Sequence, residues 1–329
     1  MNFFKKLKNL YWLYWHFINR KYDNGNFDHK KLRLVLGLGR SGTTWVSNTL
    51  AKSKTPLRFF EEPLFHVSPK LRFNTSPDHT AINFSEYFPE NHPFVRIYRI
   101  FCNRDTKLHY LPGQFIKRND AQFDVVLVKE VHGLLGTEAL AKTLNIPILV
   151  ITRNVFSTID SLIKAQSIDT PYLVNEYKLV KDKNFLNCYF PAKRKVLQAA
   201  FEKIDSITDK EDRLLLEKLI TSFLITKMFE EISQKTKNIL LKTYEDLCNN
   251  PNENYAQIAD FFSMDYKAND YIFRRDDSEG EEEKDHYSLI RNTKQQVYKP
   301  LTTLHKKIFF INNFFKERQI DIYYNPNNL

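Results

Sequence analysis

Cysteine is scarce in this chain. There are three in 329 residues, Cys102, Cys188 and Cys248, far apart from one another. They form neither a metal-ligand pair nor an even disulfide framework, and each reads as a buried reduced thiol, which points to a reducing compartment. No apolar run is long enough to span a bilayer. In the aromatic, basic opening MNFFKKLKNLYWLYWHFINRKY the longest is Leu10 to Ile18, broken by His16. The opening also lacks the small-residue cleavage site of a signal peptide. The expectation is a cytoplasmic protein whose residues 1–30 form a basic aromatic helix, either packed on the protein's own core or docked peripherally on a membrane. Acidic excess is missing too: 49 Lys and Arg face 39 Asp and Glu, a formal net charge of +10. A basic balance suits a polyanionic ligand, nucleic acid or an anionic membrane. The basic residues are dispersed and form no recognition motif, so no nucleic-acid partner is expected.

Glycine is also sparse, eight in all, yet Gly37, Gly39 and Gly42 fall close together in LRLVLGLGRSGTTWVSNTL, Leu32 to Leu50. Leu32–Leu38 reads as a buried strand and Thr43 onward as the first turns of a helix. Strand, glycine turn and helix make a phosphate cradle, in which turn amides and the positive end of the helix dipole face an anion. Gly42 permits close backbone approach, and Thr43 and Thr44 add hydroxyl donors. The pattern nearly fits a nucleotide P-loop, GxxxxGK[ST], beginning at Gly37. Thr43 stands where the lysine should be, and the cation is Arg40, inside the loop. A P-loop kinase would also want an acidic residue at a strand end for magnesium. Asp124 instead begins its strand.

Arg40–Trp45, RSGTTW, resembles the 5′-phosphosulfate loop of sulfotransferases that use 3′-phosphoadenosine 5′-phosphosulfate (PAPS). Three more segments follow in that family's order. EEPLFHV, Glu61–Val67, is similar to the EPLWHV segment of the carbohydrate 6-O-sulfotransferase branch. IPILVITR ends in Arg153, with Ser161 eight residues on, like the family's 3′-phosphate motif. KTYEDLCNNP, Lys242–Pro251, resembles its R/K-x-YEDL-x-x-x-P segment. Arg291 and Lys294 sit where the family has a basic segment over the cofactor. Two departures stand out: Arg153-Asn154-Val155 replaces Arg-Asp-Pro, and Tyr298-Lys299 takes the place of a WR pair.

The resemblance implies sulfuryl transfer from PAPS to an acceptor hydroxyl on a glycan, glycolipid or small molecule, without a metal. It implies that Arg40, Ser41, Gly42, Thr43 and Thr44 hold the 5′-phosphate, with Arg40 also a catalytic candidate that neutralises the bridging oxygen, and that Arg153, Ser161 and Arg291 hold the 3′-phosphate. Trp45 and Tyr244 would contact the adenine. An acceptor hydroxyl needs a general base. Glu62, after the strand-like Leu57–Phe60, is the first candidate. Glu61 would face the other way and be solvated. His132 is the rival, although the related cytosolic pattern is Lys-x-His and Lys129-Glu130-Val131-His132 is one residue longer. One residue along a strand reverses the face. Lys129 is a further candidate beside the sulfuryl group. A non-catalytic binder of phosphorylated nucleotides or sulfated glycans is the reading in which the base is missing.

Short apolar runs at Leu32–Leu38, Asp124–Lys129, Pro147–Thr152 and Asn238–Lys242 read as parallel strands covered on both faces. Helical patterns alternate with them at Thr43–Lys52, Leu134–Leu144, Val155–Lys164 and from Ala192 to Lys235, and Pro251–Phe262 follows. The expected fold is α/β: a three-layer sandwich with a central parallel sheet, of P-loop nucleotide-binding type, filling residues 31–329 as one domain. Ligands bind at the carboxyl ends of such strands, where Arg40, Lys129 and Arg153 all lie. Residues 67–121 and 166–190 read as irregular insertions, and the resemblance implies that such segments shape the acceptor pocket. Asp276–Asp285 reads as an acidic loop.

Overall fold

A computed structural model describes residues 29–62, 93–103, 116–131, 133–164, 171–265 and 304–322. Six strands form one sheet: β1 (Leu32–Gly37), β2 (Leu57–Glu61), β3 (Ile116–Asn119), β4 (Val125–Glu130), β5 (Ile148–Thr152) and β6 (Ile239–Thr243), in spatial order β3-β2-β4-β1-β5-β6. Every neighbouring pair is parallel except β2 with β3, an antiparallel edge. The chain is therefore an α/β protein with a central, mostly parallel sheet flanked by helices.

The central strands are buried except at Arg33 in β1, and successive side chains serve opposite faces. Leu34, Leu36, Val126, Val128, Ile148 and Val150 join one apolar cluster; Val35, Val125, Leu127, Leu149 and Ile151 join another. Period-two alternation with both faces apolar puts a helical layer on each side. The second cluster is closed by α1 (Thr43–Leu50), α9 (Tyr244–Asn249) and α10 (Pro251–Phe262), through Val46, Leu50, Leu247 and Ile258. The first is closed by α2 (Pro93–Cys102), α3 (Thr137–Leu144), α4 (Val155–Lys164), α5 (Pro171–Val180), α6 (Lys183–Tyr189), α7 (Arg194–Asp205), α8 (Lys210–Lys235) and α11 (Ile308–Lys316).

The two stretches read as irregular are partly regular. Residues 67–121 include α2 and β3. In α2, Val95, Tyr98 and Cys102 recur at helical spacing and are buried, which anchors it to the core. β3 alternates half-buried and exposed residues at the sheet edge, too polar a pattern to stand out. Residues 166–190 include α5 and α6. Asp182 caps α6 by accepting the Asn184 N–H, and Phe185, Leu186 and Tyr189 bury its inner face. The basic aromatic opening, apart from residues 29 and 30, and the acidic loop Asp276–Asp285 lie outside the described residues. No helix among the described residues is long and apolar enough to cross a membrane.

Candidate functional site

The loop after β1 is shaped by backbone constraints. Gly37 has no room for a side chain: a Cβ there would meet the Ile151 carbonyl oxygen at 2.4 Å and Ser41 Oγ at 2.6 Å. The chain then turns sharply, with the Ser41 N–H donating to the Leu38 carbonyl at 3.0 Å. Two residues flanking Ser41 take the left-handed conformation, Arg40 at φ 71° and Gly42 at φ 98°. For arginine this is an unfavourable conformation that the surrounding packing must hold in place. Gly42 is the N-cap of α1, and no side chain caps that helix. The orphan amides of its first turn and the positive end of its dipole therefore face out of the sheet's carboxyl edge. Ser41 is fully buried, and among the described residues its Oγ has no hydrogen-bond partner. With its N–H spent on the turn, Ser41 shapes the loop from inside.

On the β5–β6 side of the loop, the residues read as the 3′-phosphate pair come together with it. Arg40 Nε donates to Ser161 Oγ on α4 at 3.0 Å. Arg153, immediately after β5, donates from Nη1 to the Arg40 carbonyl at 3.2 Å. Its guanidinium stacks on the Tyr244 ring, 4.6 Å from the centroid. Among the described residues its buried Nε has no hydrogen-bond partner, and no carboxylate lies within ion-pair distance of it. A cation held this way fits a multiply charged anion. Trp45 packs edge-on against Tyr244 and Tyr255, with centroids 5.6 and 5.9 Å away. Burial, aided by Cys248, pushes the Tyr244 phenol well above its usual range, so it stays neutral.

Asn154 sets the start of α4. Its side chain accepts the Ser157 N–H at 3.1 Å as an N-cap of α4, and its own N–H donates to Glu245 at 3.0 Å. Those two bonds fix the turn that carries Arg153.

On the β2–β4 side lies an acid–lysine cluster. Lys129, near the end of β4, is 3% exposed and ion-pairs with Glu62 in close contact and with Glu61 Oε1 at 3.4 Å. Burial acts to lower the Lys129 pKa, but Glu62 and Glu61 outweigh it and hold the ammonium above its usual value. Glu61 is 19% exposed and also meets Lys117 at 3.2 Å and the Thr44 hydroxyl at 3.2 Å. This differs from the alternation that put Glu61 on the opposite face in solvent. Glu62 takes φ 51°, and its N–H donates to the Lys129 carbonyl at 2.7 Å. That left-handed turn ends the strand's alternation and swings both carboxylates toward one lysine.

Of the sequence-derived candidates, then, Arg40, Arg153, Ser161, Tyr244 and Trp45 gather on one side of the loop. Thr44, Lys129 and Glu62 gather on the other. Gly42 and Thr43 open the helix between them, with Thr43 buried. His132 and Arg291 lie outside the described residues. Glu61 and Lys117 are the residues that sequence reasoning missed. For Glu61 the signal was the neighbouring EE pair itself. Among the described residues no group of three His, Cys, Asp or Glu side chains is arranged to hold a metal ion.

No family model matches the chain, and no curated protein matches it. Among solved structures, the sulfotransferase domain from the curacin biosynthetic pathway aligns over 72% of this chain and 75% of its own length, at 15% identity and a TM-score of 0.36. A likeness of that strength carries no argument; the fold is described by the strand order and register given above.

Proposed function

We propose that the chain is a PAPS-dependent sulfotransferase acting on an acceptor hydroxyl, with a glycan or glycolipid as the preferred acceptor class. The observation that carries the reading is the position of Arg40. Its loop is flanked by the Arg153–Ser161 pair on the β5–β6 side and by the Lys129–Glu61–Glu62 cluster on the β2–β4 side. An anion site beside a carboxylate site is what transfer of an anionic group to a hydroxyl requires. The acceptor class rests on the resemblance of Glu61–Val67 to the carbohydrate branch. A P-loop kinase is disfavoured because Thr43, at the lysine position of the nucleotide loop, is buried and brings no cation.

PAPS would supply an activated sulfuryl group on a phosphate leaving group. In this reading Arg40 balances charge at the 5′-phosphate, where its planar fork can hold two oxygens. The first-turn amides of α1 and the hydroxyls of Thr43 and Thr44 complete that cradle. Arg153 and Ser161 hold the 3′-phosphate, with Arg291 as a further cation, while Trp45 and Tyr244 flank the base. Glu62 accepts the acceptor's hydroxyl proton, with His132 as the alternative. Lys129 stays charged and keeps Glu62 ionised until it does so. Positioning and fixed charges do most of the work in such a transfer, as in phosphoryl transfer.

The test is a thermal-shift titration with 3′-phosphoadenosine 5′-phosphate against ADP, on wild type and Arg153→Ala. A ligand at about 100 times its dissociation constant adds about 2.7 kcal/mol of stability. The reading expects strong stabilisation by the 3′-phosphorylated nucleotide alone, lost in the variant. Equal stabilisation by ADP would return the chain to a general nucleotide-binding reading, and no response to either would remove the cofactor.

A further inference from the structure

Thr44 has one hydroxyl proton, and the structure gives it to Glu61: Thr44 Oγ1 donates to Glu61 Oε1 at 3.2 Å. A hydroxyl donates once, and an ionised carboxylate only accepts. Donation to Glu61 and donation to an oxyanion in the α1 loop therefore exclude each other. Glu61 is also tied to Lys117 through Oε2 at 3.2 Å, and to Lys129 through the same Oε1 that receives Thr44, at 3.4 Å. Lys129, nearly fully buried, is shared with Glu62. One carboxylate thus touches the loop helix on one side and the Lys129–Glu62 pair on the other.

We infer that Glu61 is a positioning residue that couples anion binding in the loop to the state of the Lys129–Glu62 pair; this rests on the donor-nucleotide reading above. In the free protein Glu61 accepts the Thr44 hydrogen bond and shares Lys129. When an oxyanion accepts that hydrogen bond instead, Glu61 Oε1 loses a donor and faces the Thr44 lone pairs and the incoming negative charge. Its remaining donors are the two lysines, so the carboxylate moves toward Lys129. That movement draws the ammonium from Glu62 toward Glu61 and loosens its hold on the Glu62 carboxylate. Donor binding then precedes acceptor activation, because the lysine's hold on the base loosens only when there is a group to transfer. Glu61 itself touches neither reactant.

The experiment is a double-mutant cycle read by calorimetric titration with 3′-phosphoadenosine 5′-phosphate on the full chain: wild type, Glu61→Gln, Thr44→Val and the two combined. Glutamine is a neutral and weaker acceptor for the hydroxyl, so Glu61→Gln should tighten binding about three- to tenfold where Thr44 is present. In the Thr44→Val background the same change should alter affinity by less than about twofold. Thr44→Ser, which keeps the hydroxyl, should keep the dependence on Glu61. If Glu61→Gln does not fold, Glu61→Asp serves: it keeps the charge for Lys129, draws back from Thr44 and should also tighten binding. Equal tightening in both backgrounds would mean that Glu61 acts only as a charge, and would overturn the coupling while leaving the cofactor reading intact. Absence of binding by the wild type would overturn the cofactor reading and the coupling with it.

Discussion

Arg40 and Ser161 are 121 positions apart in sequence and joined by a 3.0 Å hydrogen bond from the guanidinium Nε to the hydroxyl. The bond ties the loop after β1 to the helix after β5, two strands that pair in parallel. In the proposed function it joins the 5′ and 3′ ends of one nucleotide. Ser161→Ala should weaken 3′-phosphoadenosine 5′-phosphate binding about tenfold, the scale of a lost hydrogen bond to a charged group, and leave ADP binding unchanged in a competition titration. Equal weakening of both nucleotides would mean that Ser161 acts only by holding Arg40.

Arg40 also separates stability from activity. At φ 71° its backbone lies where a Cβ costs about 1–2 kcal/mol. Glycine tolerates the conformation but loses more freedom on folding. Arg40→Gly should therefore be more stable than Arg40→Ala by roughly 0.5–1 kcal/mol in urea denaturation, while both lose turnover together. Equal stability of the two variants would mean that the loop relaxes out of its left-handed turn once the guanidinium is gone.

Gly42 is held by a different constraint. A Cβ at this position would lie 2.4 Å from Tyr244 Cδ2, and φ is 98°. Overpacking and strain together should cost Gly42→Ala about 2–4 kcal/mol. Removing the ring relieves only the first part, so Gly42→Ala combined with Tyr244→Ala should be less destabilised than the sum of the single changes. Additive losses would mean that the ring already moves aside at little cost.

The legible parts of this molecule are those whose residues repeat a simple pattern. Ile148–Ile151 and Val125–Val128 are continuous apolar runs, as two-sided burial requires, and Val155–Lys164 and Pro251–Phe262 carry helical spacing between clear boundaries. The loop was legible because Arg40 stands among glycines that have few other uses. The acid–lysine cluster was not. Strand alternation separates Glu61 from Glu62, and only the left-handed turn at Glu62 reunites them on Lys129. A positive φ at glutamate leaves no mark in composition or periodicity. β3 was hidden for a related reason: an edge strand with one solvated face needs few apolar residues.

Glu62 and Lys129 give opposite signatures. Glu62→Gln keeps shape and loses the acceptor of the proton, so turnover should fall at least about 100-fold while the nucleotide still binds. Unchanged turnover would remove Glu62 from the mechanism and leave His132. Lys129→Met takes the buried cation from both carboxylates, making Glu62 harder to keep ionised, so the acid limb of the rate profile should move to higher pH. In the native protein the raised Lys129 pKa means that its ion pairs contribute fully below the usual lysine value of 10.5 and are lost only as pH rises beyond it. An acid limb that stays in place in Lys129→Met would show that the lysine does not set the charge of the base.

Glu176 on α5 is buried against α8, and among the described residues its Oε2 has no hydrogen-bond partner. Burial pushes its pKa from the usual 4.5 to about 8, with the charge of Lys218 on α8 opposing the rise. A carboxyl whose pKa is raised on folding behaves opposite to a salt-bridged one. Between those two values the native state holds the proton and the unfolded chain does not, so stability falls as pH rises through the window and levels off above it. Glu176→Gln cannot titrate and should flatten that slope in a series of thermal melts, becoming more favourable relative to wild type toward the alkaline end. A slope as steep in the variant as in the wild type would assign the pH dependence elsewhere. If the slope does flatten, the α5–α8 contact is most stable while Glu176 is protonated, and the segment directly after the Ser161 helix loosens as the solution turns basic.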